Sequence, residues 1–161
     1  MPESSLKLAG FALAHASWSV SEGQTLCTVA FTENATGRRL LRFEADSIPD
    51  SLDLAREKLQ RQQIFLARWA LVFAGHLNVD SKRRDALIIQ LWAKLEEAPT
   101  RIIQLYRPSD SVRRFKILGQ PIFVDNGGAM IEDETYQRWL LEGVMEHPQV
   151  ATLWGKWFQR T

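Results

Sequence analysis

The chain predicts an α+β fold: an antiparallel sheet of about five to seven strands around a central meander, with N-terminal and C-terminal helices packed on one face. Three observations lead there. Helical spacing of apolar residues sits at both ends of the chain. Short segments rich in Val, Ile, Phe, Trp and Tyr fill its middle, and polar turns of the kind hairpins use separate those segments. The 161 residues are 45% hydrophobic and 24% charged, which suits one globular domain over 1–161, and no repeat or Pro/Gly/Ser linker divides them.

Each element has its own warrant. From Ser4 to Val20, Leu6, Ala9, Leu13 and Ala16 recur at helical spacing, with Ser4 or Ser5 as a cap and Gly23 just beyond. Alternation of Phe11, Leu13 and His15 also fits a strand, but four alanines favour the helix. Gln24–Thr32 and Arg38–Glu44 read as a hairpin around Asn34-Ala35-Thr36-Gly37. Ser47, Pro49 and Asp50 start a helix whose inward stripe is Leu52, Ala55, Leu59 and Leu66.

The segments Ala67–Gly75, Ala86–Lys94, Arg101–Arg107 and Val112–Leu118 form the expected four-stranded meander. The first, apolar on both faces from Trp69 to Ala74, belongs at its centre. Pro121–Val124 adds an edge piece before a turn at Asp125-Asn126-Gly127-Gly128. Glu132, Asp133 and Glu134 suit the positive end of a helix whose stripe is Tyr136, Trp139, Leu140 and Val144, stopped by Pro148. Val150, Leu153, Trp154, Trp157 and Phe158 mark a second short helix. Core packing is its expected use, with homodimerisation the alternative if it is not fully docked.

Several function classes lose support at this level. Twenty Lys and Arg against nineteen Asp and Glu leave a net charge of +1, so no global field points to nucleic acid or an anionic membrane. No apolar run is long enough to span a bilayer as a helix. Ala14-His15-Ala16 imitates a signal-peptidase site, but Glu3 offsets Lys7 ahead of a short apolar run, so a cytoplasmic location is expected. Cys27, the only cysteine, lies among Leu26, Val29 and Phe31 and reads as a buried inert thiol. His15, His76 and His147 are far apart and outside metal-ligand spacings; no nucleotide loop or nucleophile elbow is present, and neither a metal nor another cofactor is expected.

Two surface constellations remain. In a meander alternate turns share one end of the sheet, which gathers Lys82, Arg83, Arg84, Arg107, Arg113 and Arg114 there, with Glu96 and Glu97 at the opposite end. Asp80, Asp85 and Asp110 offset part of that charge, and the plainer reading is a solvated set of hairpin tips. The second constellation needs a favourable register. Ile88, Gln90 and Trp92 alternate on one strand, and Ile102, Gln104 and Tyr106 on the next; alignment would join Gln90, Trp92, Gln104 and Tyr106 in one mixed patch.

The leading functional expectation is a non-catalytic intracellular protein-binding module that occludes a partner with an acidic surface. Its size, α+β pattern and lack of catalytic signatures resemble the profile of small bacterial toxin-neutralising immunity proteins; no diagnostic motif carries that likeness. The alternative is an enzyme with a discontinuous site in a helix–sheet pocket, drawing on His15, His76, Asp125 and Glu132. A third option is nucleic-acid binding through the arginine-rich end, without membrane contact.

Overall fold

A computed structural model describes residues 1–160. Its element order is α1 (Glu3–Val20), β1 (Thr28–Asn34), β2 (Gly37–Phe43), α2 (Ile48–Gln62), β3 (Arg68–Val79), β4 (Lys82–Ala93) and β5 (Thr100–Arg107). Three short strands follow, β6 (Lys116–Leu118), β7 (Ile122–Val124) and β8 (Met130–Ile131), then α3 (Glu134–Met145), α4 (Trp154–Trp157) and β9 (Phe158–Gln159). The fold is α+β, with a curled and mostly antiparallel sheet ordered β2-β1-β3-β4-β5-β6-β9. Beyond the expected five to seven strands, the additions are short pieces along one edge. β6 continues the meander beside the end of β5, β7 pairs with the start of β5, and β9 joins β6 in parallel.

Strand alternation divides the side chains between two faces. The inner face carries Val29, Phe31, Ala70, Val72, Leu87, Ile89, Leu91 and Ile102, packed in one core with α1 and α3. Helix α1 lies between the sheet and α3, so it is buried around most of its circumference. Two glycines allow the close approach. A Cβ on Gly10 would collide with the Leu140 carbonyl, and one on Gly143 with the Lys7 carbonyl. Helix α2 packs on the opposite face, where Ala55 and Leu59 meet Ala30, Leu66, Trp69, Leu71 and Trp92. The terminal helices therefore share one face, and the middle helix takes the other.

Local chemistry explains where several boundaries fall. Ser4 and Ser5 lie inside α1, whose N-cap is Pro2 without a side-chain bond, so neither serine is the cap. Ser47 does cap α2 by accepting from the Asp50 amide. Asp133 caps α3, accepting from the amides of Thr135 and Tyr136, which gives one carboxylate of the acidic cluster a direct structural use. The expected strand from Val112 begins only at Lys116. Asp110 accepts through Oδ1 from the amides of Val112 and Arg113, at 2.8 and 2.6 Å, and folds that stretch into a loop. Cys27 is half-buried and stands just before β1.

At the carboxy end, residues 149–153 turn, only Trp154–Trp157 is helical, and Phe158 enters the sheet. Val150 and Trp154 are buried in the main core, with Trp157 and Phe158 packed against it. Among the described residues no helix is long and apolar enough to cross a membrane.

Candidate functional site

The β3–β4 hairpin extends beyond the sheet, because β4 pairs with β5 only from Asp85, opposite Tyr106. The next register position sets Arg84 opposite Arg107, and Lys82 and Arg83 continue toward the tip. The loop after β5 carries Arg113 and Arg114 at the same end. Arg107 is half-buried and donates through Nε and Nη2 to the Arg114 carbonyl at 3.2 and 3.0 Å, joining strand to loop. The other five cations are exposed.

Among the described residues none of the six forms an ion pair within 4.0 Å. Asp110 lies beside Arg107 and Arg113, yet its carboxylate is engaged by loop amides, and those bonds hold its pKa below the ordinary value. Arg83 reaches only the His76 ring, at 3.4 Å. Val112, 89% exposed, projects from the same loop.

The mixed aromatic–amide patch is overturned. Leu87 pairs with Gln104 and Asp85 with Tyr106, so even-numbered residues of β4 share a face with odd-numbered residues of β5. Gln104 and Tyr106 therefore lie inward, while Gln90 and Trp92 lie outward. Gln104 is fully buried and donates to the carbonyls of Leu105 and Gly119, each at 3.0 Å. Tyr106 packs against Phe115, and burial raises its phenol pKa. Trp92 is buried against Trp69, with ring centroids 6.1 Å apart, and its indole donates to the Glu96 carbonyl at 3.1 Å.

One concavity on the outer face was not legible as a unit in the sequence. An open groove of about 770 Å³ crosses the outer face between the end of α2, the β4–β5 turn and the β7–β8 turn. Gln90, Trp92, Arg101 and Val124 line it from the sheet, and Arg56 and Lys94 bring two more cations to its walls. Asp125 lines it too, but its Oδ1 accepts from the amides of Gly127 and Ala129, both at 2.9 Å. Asp125 thus serves its own turn. His15, His76 and Glu132 do not line this groove, so it does not assemble the expected enzymatic set.

No family model, curated protein or solved structure matches the chain. Its function must be argued from these surfaces.

One pairing of distant histidines does form. His147 Nε2 and His15 Nδ1 lie 3.5 Å apart, surrounded by Phe11, Trp18 and Phe31. The Gln149 amide donates to His147 Nδ1 at 3.2 Å, which leaves the neutral ring's proton on Nε2, facing His15. Burial lowers both pKa values; His147 and Arg42 depress His15 further. The arrangement favours neutral rings. Among the described residues no three His, Cys, Asp or Glu side chains group as metal ligands.

Proposed function

We propose that this chain is a non-catalytic protein-binding module working in the cytoplasm, of immunity or adaptor type. It holds an acidic partner against the basic end of its sheet. The observation that carries this reading is the shared end occupied by Lys82, Arg83, Arg84, Arg107, Arg113 and Arg114, all without a carboxylate partner in the described fold. Guanidinium groups bind carboxylates through paired, directional hydrogen bonds, so such a cluster suits an acidic protein surface. Val112 adds an exposed apolar contact among these cations. Occlusion of the partner's own site requires no catalytic group here.

The test is affinity capture from source-cell lysate, with protein and nucleic acid both quantified. Wild type is compared with R84E/R107E/R113E/R114E after matched folding by circular dichroism. The expected result is one protein held by wild type and reduced at least tenfold by the variant. Equal retention rejects the basic surface. Nuclease-sensitive nucleic acid held only by wild type replaces the protein-binding reading, and its affinity should fall steeply with salt.

A further inference from the structure

We infer that the uncovered half of the outer sheet face is the docking site for an amphipathic, acid-flanked helix of the protein partner. This inference rests on the protein-binding reading above and adds the chemistry of the docking segment. Helix α2 covers the outer face around β1, β2 and the start of β3. Starting from Phe73, which packs against the edge of the α2 cluster, a row of Phe73, Ile88, Ile103 and Ile122 stands in register across four strands, and Ala86 pairs with Leu105 in the adjoining row. Phe73, Ile88, Leu105 and Ile122 are half-buried and keep part of their surface in solvent, with Ile103 and Ala86 buried between them, whereas the inner-face counterparts Leu87, Ile89 and Ile102 are fully buried.

Both ends of this apolar strip are basic. Arg101, with Arg56 and Lys94 around the groove, marks one end, where Glu97 and the turn-bound Asp125 also line the groove; Arg84 and Arg107 mark the other. None of these five has an ion-pair partner among the described residues. Arg101 and Arg107 occupy outward positions of the same strand, six residues or roughly 20 Å apart. A helix of about 14 residues covers that distance. Lying along the strands beside α2, it would extend the existing helical layer and bury the apolar row. Carboxylates near both helix ends would meet the unpaired cations.

A second copy fits less well, because a two-fold contact over this strip would set cation against cation. Regularly spaced phosphates do not match a basic–apolar–basic pattern either.

The probe is a synthetic peptide of about 18 residues, with Leu at i, i+3, i+4 and i+7 and Glu at both ends; its control has Lys in place of Glu. Binding to the full chain is read by fluorescence anisotropy, and the footprint by backbone hydrogen exchange. The Glu peptide should bind at least tenfold more tightly than the control and protect β4, β5 and β7. Failure to bind at millimolar peptide, equal binding of the control, or protection confined to α1 and α3 overturns the inference.

Two variants separate it from the basic-end reading. I88E/L105E should weaken the peptide at least tenfold; R113E/R114E, outside the strip, should leave the peptide unchanged while weakening the lysate partner. Peptide binding insensitive to I88E/L105E overturns the helix site and leaves the basic end standing. A lysate partner insensitive to R113E/R114E, together with an intact peptide footprint, removes the basic-end reading and retains the helix site. The wild-type footprint remains decisive if I88E/L105E fails to fold.

Discussion

On the inner face, α1 is enclosed by the sheet and α3, two glycines bring the helices into close approach, and Leu87, Ile89 and Ile102 are fully buried. On the outer face, α2 covers part of the same sheet and leaves Phe73, Ile88, Leu105 and Ile122 half-buried between cations that have no ion-pair partner among the described residues. Ion pairs occur on both sides, with Arg61 and Glu57 paired within α2, but those that link separate elements lie elsewhere. Lys7 meets Glu3 and Glu142 on the α1–α3 side, while Glu33 bridges Arg38 and Arg68. The comparison distinguishes a face whose packing closes internally from one retaining groups that another surface can satisfy.

The largest expected effect is on the closed face. In an exposed helix, Gly→Ala gains about 1 kcal/mol. Gly10→Ala should reverse that sign and cost about 3 kcal/mol or more, because the methyl meets the Leu140 carbonyl and forces α1 from α3. Chemical denaturation measures it; wild-type stability in this variant would remove the claim of close helix contact.

Next is Gln104→Ala. Losing its bonds to the Leu105 and Gly119 carbonyls at a fully buried site should cost about 2 kcal/mol. Hydrogen exchange should rise first where β5 meets the turn after β6. A uniform change across the molecule would deny Gln104 that local role.

A smaller effect concerns pH. The folded pKa values of His15 and His147 lie below the ordinary value of 6.5, so as acidity increases the unfolded chain takes up protons first. Their contribution to stability is full above that value and declines as pH falls through it toward the folded values. Denaturation midpoints between pH about 7.5 and about 5 should show the decline, with H15Q/H147Q flattening it. An unchanged slope in the double variant would assign the acid response elsewhere.

The smallest effect belongs to the β4–β5 turn. Leu95 has φ of 79° and is 97% exposed, so a bulky residue occupies a left-handed conformation without burying its side chain. Leu95→Gly should relieve part of the roughly 1 kcal/mol conformational cost and raise the denaturation midpoint slightly. Destabilisation by that change would show that the Leu95 side chain supports the fold.

Much of the architecture was legible because its signals are local. The spacing of Leu6, Ala9, Leu13 and Ala16 marked α1, Ser47 and Pro49 marked the start of α2, and apolar strands separated by polar turns marked the meander. The end-sharing of Arg84 and Arg107 followed from meander geometry. The aromatic–amide patch did not, because it required a parity between strands that neither strand encodes alone. Connection 94–99 joins strands whose register pairs Leu91 with Thr100, and that pairing sends Gln104 inward and Gln90 outward.

By itself, then, the sequence determined the α+β class, the central meander, the two terminal helical regions and the candidate basic end, through periodicity, capping residues and alternating turns. Tertiary structure decided which face α2 covers, the close contact at Gly10 and Gly143, the meeting of His15 with His147, and the basic–apolar–basic strip. Those features depend on separations between residues distant along the chain, and such separations are determined by register and packing together.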